Sequence, residues 1–158
     1  MTETRSFREG DETALVGVFV RSVSTIGSAR YHEGQVRSWL ANGPNAERIR
    51  EGMLHREAFI AEDEGRVLGW IDLLPDGHID MFYCLPEVTR KGVADTLYAN
   101  VLGRAKELSL QRLFSDGSVF AESFFTKHDW VIDEREVIVR EGVEINRARM
   151  SVLLVSGT

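Results

Sequence analysis

The stretch from Asp80 to Leu102 constrains this chain most: an apolar run stopped by Pro86, a short basic loop, then a long amphipathic run. Met81-Phe82-Tyr83-Cys84-Leu85 reads as a buried strand, being short, rich in aromatic residues and ended by a turn-forming residue. From Val93 the residues Val93, Ala94, Leu97, Tyr98, Val101, Leu102, Ala105 and Leu108 recur at helical spacing, so a helix opening at Gly92 lays one face on a sheet. Between strand and helix, Thr89 to Ala94 carries the cations Arg90 and Lys91 and the small residues Gly92 and Ala94. A ligand can approach the backbone there, where the first unpaired N–H groups of a helix point outward, and such a helix start attracts phosphate. The plain alternative is a strand–turn–helix whose Arg and Lys are simply solvated.

The rest of the chain supplies layers for this unit. Thr4 to Phe7 reads as a first strand, and Asp11 as the N-cap of a helix carrying Ala14, Leu15, Val18 and Phe19, broken at Gly27-Ser28. Tyr31 to Leu40 and Ala46 to His55 read as two more helices around the turn Asn42-Gly43-Pro44-Asn45. Ala58–Asp63 and Arg66–Leu74 flank Glu64-Gly65, a strong hairpin signal, and Pro75-Asp76-Gly77 turns into a third strand beginning at His78. Gly69 inside the second of these strands fits either a bulge or a close packing contact. After the central helix come a strand over Arg112–Asp116, a helix over Ser118–His128 and a terminal hairpin, Val131–Val139 with Val143–Val155. With 158 residues, no repeat and no linker, the expectation is one domain over residues 1–158. It is a mixed α/β domain, an α+β mixed sheet of six or seven strands with flanking helices.

Charge and composition narrow the function. A net charge of −6 argues against nucleic acid as the main partner, because that needs a concentrated basic face. Arg90-Lys91 stands out locally against this acidic background. The single cysteine, Cys84, excludes an internal disulfide and a Cys-cluster metal site, and no metal is expected. No apolar run reaches the length of a membrane span or a secretory signal, so the default expectation is a cytoplasmic protein with no membrane partner.

The segment Thr89-Arg90-Lys91-Gly92-Val93-Ala94 resembles the acetyl-CoA-binding motif of the GNAT N-acetyltransferase superfamily: Gln or Arg, two residues, Gly, one residue, Gly or Ala. Thr89 departs from the pattern at its first position. A second segment, Ala121 to Trp130, resembles the superfamily's late motif, its Asn position falling on Ser118, its Tyr position on Phe125 and its Gly-Phe pair on Asp129-Trp130. The resemblance covers nearly the whole chain, and in texture it is closest to the small bacterial YafP-like members.

That resemblance implies a GNAT-like acyl-CoA N-acyltransferase fold with acetyl-CoA as co-substrate. The implied contacts are the loop residues Thr89, Arg90, Lys91, Gly92, Val93 and Ala94, the backbone groups of Phe82, Tyr83 and Cys84 alongside the pantetheine arm, and Ser118 and Phe125. A backbone N–H near Phe82 would stabilise the oxyanion formed when an amine attacks the thioester. The variable region between the first two strands implies Tyr31, His32 and Trp39 as acceptor contacts, although Trp39 as core and His32 as a surface cap is an equally open reading.

An ammonium acceptor must lose a proton. Asp80 is the first candidate base, with partial burial expected to lift its pKa; His78, His32 and water are the others. Phe125 cannot protonate the leaving thiolate as the usual Tyr does, which leaves Tyr83, Tyr98, Ser118, water or unassisted departure. Cys84 as nucleophile lacks an activating partner in the sequence. The first reading is therefore an acetyltransferase acting on a primary amine by direct attack, and the alternative is a non-catalytic acyl-CoA-binding or sensing module. Neither nucleotide phosphate fingerprint is present. Acidic net charge favours the approach of cationic acceptors such as polyamines, aminoglycosides or basic peptide ends. A Val- and Ile-rich terminal hairpin edge invites a homodimer.

Overall fold

The computed structural model describes residues 2–27, 32–117, 119–140 and 142–154. Four strands, β1 (Glu3–Ser6), β2 (Glu57–Asp63), β3 (Arg66–Leu73) and β4 (Phe82–Cys84), form an antiparallel sheet in the order β1-β2-β3-β4. Three more, β5 (Arg112–Gly117), β6 (Val131–Arg140) and β7 (Val143–Leu153), form a second sheet in the order β5-β7-β6. The helices are α1 (Glu12–Ser22), α2 (Glu33–Asn42), α3 (Ala46–Gly52), α4 (Val93–Glu107) and α5 (Val119–Lys127). This is the mixed α/β architecture that the strand and helix signals imply.

The β2–β3 hairpin forms where both turn residues take positive φ, Glu64 at 50° and Gly65 at 82°, the conformation a tight two-residue hairpin needs. From Leu68 to Leu73 every residue of β3 is buried, because α1 and α4 both pack on it. Leu15, Val18 and Phe19 face inward from α1; Val93, Leu97, Val101 and Ala105 do so from α4. Trp70 is completely buried, and its Nε1–H donates to the Leu15 carbonyl at 3.2 Å, joining β3 to α1. Burial on this scale contributes roughly 1.5–3 kcal/mol per large side chain.

Several details differ from the sequence expectations. Asp11 stands at the N-cap position, yet its carboxylate accepts from the Arg5 guanidinium at 2.9 Å and from Arg8 N–H instead of capping the helix. A strong charged donor outcompetes the helix N–H groups. α1 runs on through one turn of π-helix, Val23–Gly27, while Ser28 and Tyr31 lie outside the described residues. α3 ends at Gly52, short of His55. Gly69 serves both purposes considered for it: a register irregularity lies beside it, and a Cβ there would meet the Cys84 sulfur at 2.8 Å and the Tyr83 carbonyl at 3.0 Å. The strand expected from His78 pairs regularly only from Phe82. In the terminal hairpin β7 is central and β6 is the edge, with Val137 and Val139 exposed.

The two sheets meet at one point. His78 and Phe114 form a parallel bridge, Ile79 N–H donates to the Phe114 carbonyl at 2.9 Å, and Ser115 Oγ–H donates to the Ile79 carbonyl at 2.7 Å. Beyond Ile79 the chain leading into β4 turns to β3, and β4 and β5 share no ladder.

Candidate active site

The divergence of β4 from β5 is set by a carboxylate. Asp72 on β3 is fully buried, and its Oδ1 accepts from the backbone N–H groups of Asp80 at 2.8 Å and Met81 at 2.9 Å. Its Oδ2 accepts from Arg56 Nη1 at 2.7 Å, and the same nitrogen donates to Asp80 Oδ2 at 2.9 Å. Donors that a strand ladder would use thus go to a side chain, and Asp80 is left on the cavity lining, sharing the one Arg56 nitrogen with Asp72. Burial pushes the Asp72 carboxyl up to about 6, against the pull of the Met81 N–H and of Arg56. The Asp80 side chain is about half buried, 46% exposed.

Past this network, Met81 C=O accepts from Asp72 N–H and Leu85 N–H donates to Leu68 C=O. In an antiparallel pair such groups alternate, so the peptide groups of Phe82 and Cys84 face away from β3, toward the gap between the sheets. A cavity of about 400 Å³ opens there. Its floor is Asp80, Met81, Phe82 and Tyr83; Trp39 and Arg48 come from α2 and α3, Ser115 and Asp116 from β5, Phe125 from α5, and Ile138 and Ile145 from the terminal hairpin.

The basic loop lies at the far end of β4. One turn of 3₁₀-helix, Pro86–Val88, follows the strand, and Glu87 is clamped there by Arg21 at 2.8 Å and Arg66 at 2.9 Å. The Arg21 contact, aided by Arg66, holds the Glu87 carboxyl down to about 2. Arg90 and Gly92 both have positive φ, 69° and 81°, and Gly92 is the N-cap of α4. Thr96 N–H already donates to the Gly92 carbonyl, so the N–H groups of Val93, Ala94 and Asp95 are the ones the helix start leaves without an intrahelical acceptor. Thr89, Arg90 and Lys91 are exposed, and among the described residues no carboxylate lies within ion-pair distance of Arg90 or Lys91. The arrangement can receive an anion of extended shape running from loop to cavity.

The other sequence candidates divide. Trp39 is on the cavity wall and hydrogen-bonds the Tyr83 hydroxyl, whose pKa burial drives well above the ordinary phenol value. Tyr83 therefore keeps its proton at neutral pH. His32 is an exposed helix cap: its Nδ1 accepts from Gln35 N–H at 3.2 Å, and it is not part of the cavity lining. His78 also lies off the lining, stacked on Phe114 with ring centroids 4.9 Å apart. Tyr98 is buried, accepts from Trp130 Nε1–H at 2.8 Å, and does not reach the cavity. Phe125 is 1% exposed and stacks on Trp130 at 4.0 Å. Burial pushes the Cys84 thiol up to about 12, which removes it as a thiolate nucleophile. Ser118 and Tyr31 lie outside the described residues. Among the described residues no group of His, Cys, Asp or Glu is placed to hold a metal ion, and no helix is long and apolar enough to cross a membrane.

Arg56 and Asp72 were not singled out from sequence. The available signal was Asp72 itself, a lone carboxylate between Ile71 and Leu73 in an otherwise apolar strand, since a buried carboxylate calls for a partner.

Comparison with known proteins agrees with this fold. The family model for the acetyltransferase (GNAT) domain matches residues 28–152. The chain is 27% identical over 126 residues to the uncharacterized N-acetyltransferase YafP of Escherichia coli K12, covering 80% of this chain and 79% of that one. A GCN5-related N-acetyltransferase structure from Rhodopseudomonas palustris superposes with a TM-score of 0.89 at 24% identity, covering 98% of this chain and 96% of that one. The PaiA N-acetyltransferase of Thermoplasma acidophilum, solved in complex with coenzyme A, superposes at 0.78 with 17% identity, covering 98% and 99%.

Proposed function

This chain belongs to the GNAT acetyltransferase family, and on that premise we propose that it moves the acetyl group of acetyl-CoA to a primary amine by direct attack in a ternary complex. The observation that carries the reading is the gap beyond Ile79, into which the peptide groups of Phe82 and Cys84 turn, one strand away from an anion-receptive helix start.

Acetyl-CoA supplies an activated acyl group and a good leaving thiolate. Thr89 to Ala94 would hold its pyrophosphate through backbone N–H groups and the charges of Arg90 and Lys91. The Phe82 and Cys84 peptide groups would pair with the amide-bearing arm as a substitute strand. Phe82 N–H would then donate to the carbonyl oxygen as negative charge develops on it, an effect usually worth a few kcal/mol of barrier. Asp80, aimed into the cavity by Arg56 and Asp72, takes a proton from the attacking amine, directly or through one water. As the new C–N bond forms and the C–S bond breaks, the thiolate departs as a weakly basic anion and takes its proton from water, since burial makes the Tyr83 hydroxyl a poorer acid than an ordinary phenol.

One observation favours the alternative, a module that binds acyl-CoA without turning it over: Phe125 occupies the position where a tyrosine donor is usual, and it is sealed against Trp130. Thiol release from acetyl-CoA, measured with a panel of amines on the wild type and on Asp80→Asn beside calorimetric acetyl-CoA binding, separates the two. Amine-dependent release that collapses in Asp80→Asn while binding persists is expected of the enzyme. Binding without release for any amine supports the module, and no binding contradicts both.

A further inference from the structure

The charges around the cavity do not cancel evenly. Five charged side chains line it: Arg48, Arg56, Arg147, Asp80 and Asp116. Arg147 is paired with Glu136, and Asp116 lies 3.6 Å from Arg149. Arg56 serves two carboxylates through one nitrogen, Asp72 at 2.7 Å and Asp80 at 2.9 Å, so the floor at Asp80 carries an excess negative charge. Among the described residues the Arg48 side chain, on α3, makes two long hydrogen bonds, both at 3.4 Å, from Nη1 to the carbonyls of Asn42 and Gly43. Among the described residues no carboxylate pairs with Arg48. A cavity of about 400 Å³ thus has a surplus carboxylate on its floor, just before β4, and a surplus guanidinium on its α3 wall.

We propose that the acceptor is a small zwitterionic amine, with its amino group at Asp80 and an anionic oxygen group, a carboxylate or phosphonate, on Arg48. The inference rests on the acetyl-transfer reading and sharpens it. A guanidinium with open donors is suited to a planar or tetrahedral oxyanion, which it binds through parallel N–H···O bonds. The cavity of about 400 Å³ is shared with the acyl end of acetyl-CoA, which leaves room only for a small acceptor. A polyamine would set a second cation against Arg48, so the cavity argues against the cationic acceptors that net charge alone favours.

The test is acetyl-CoA-dependent thiol release with matched amines: α-amino acids, their methyl esters, an aminophosphonic acid and a diamine, on wild type, Arg48→Gln and Arg48→Glu. Acetyl-CoA affinity is measured on each protein by calorimetry. The acid and phosphonate should exceed the ester in kcat/KM by about tenfold, the usual scale for one charge-assisted contact. In Arg48→Gln that ratio should fall toward one, mainly through KM, and in Arg48→Glu the diamine should overtake the acid. Carboxylate and phosphonate arms tell the two anion types apart. Preference of the wild type for the diamine or ester, equal loss for acid and ester in Arg48→Gln, or release with other amines but with no zwitterion would overturn the acceptor class and leave the transfer reading standing. So would a loss of acetyl-CoA affinity confined to the Arg48 variants, which would assign Arg48 to the co-substrate. Failure of the wild type to bind acetyl-CoA would remove the transfer reading itself, and the proposal with it.

Discussion

Asp80 reaches the cavity because three donors converge on one buried carboxylate, Asp72, whereas the Thr89–Ala94 loop is shaped by backbone angles, with Arg90 at φ 69° and Gly92 at φ 81°. The first region is anchored on the buried Asp72 carboxylate, which gathers Arg56 and the backbone of Asp80 and Met81, with the Asp80 side chain at its open end. The second is exposed and built from consecutive residues. Such a network fails when its buried member is replaced, since the partners of Asp72 are left buried and unpaired. A backbone cradle tolerates changes of side chain and fails when its dihedral angles are denied. The two regions should therefore respond to different mutations, in different measurements.

The largest effect expected is from Asp72→Ala. It strands the Asp80 and Met81 N–H groups and leaves Arg56 with one carboxylate, so stability should fall by about 3–5 kcal/mol in urea denaturation. A loss below about 1 kcal/mol would mean that the network is not what holds the start of β4. Next comes Gly92→Val. A Cβ there meets nothing within 4 Å, so the penalty is the left-handed φ alone, about 1–2 kcal/mol. Acetyl-CoA affinity should drop roughly tenfold as the helix start is displaced. An unchanged affinity would break the contrast between the regions. Asp80→Asn should cost only about 0–1 kcal/mol of stability, because the side chain is exposed and its ion pair is half solvated.

The smallest effect concerns pH. Glu87 flanks the loop with its pKa lowered from 4.5 to about 2, first by the Arg21 hydrogen bond. A depressed carboxyl contributes stability that is complete above its unfolded pKa and is lost as pH falls through the folded value. The melting-temperature gap between wild type and Glu87→Gln should thus be constant from neutrality to about pH 5 and shrink below about 4.5. Being exposed, the contact should also weaken with added salt. A gap that widens on acidification would contradict the assignment.

The same contrast explains what the sequence disclosed. The loop and α4 were legible because their signals are local: Gly92 before a periodic apolar run marks a helix start whatever the rest of the chain does. The hairpin at Glu64-Gly65 was legible for the same reason. Arg56 lies 16 residues from Asp72 and 24 from Asp80, and no local rule joins them. That missing link also misled the reading of His78 to Met81 as regular strand, since only the fold shows that Asp72 takes the Asp80 and Met81 N–H groups. His32 and His78 were drawn in by chemistry alone, and cap geometry and the stack on Phe114 take them out of the cavity wall.

The central claim is a division of labour, with the loop holding acetyl-CoA and the Asp72–Arg56–Asp80 network serving the attacking amine. Its most direct test is acetyl-CoA affinity and amine-dependent thiol release, measured side by side on Gly92→Val and Asp80→Asn. The account predicts a crossed result: Gly92→Val loses affinity and recovers release at saturating acetyl-CoA, while Asp80→Asn keeps affinity and loses release at any concentration. Affinity and release falling together in both variants, or release surviving in Asp80→Asn, would contradict it.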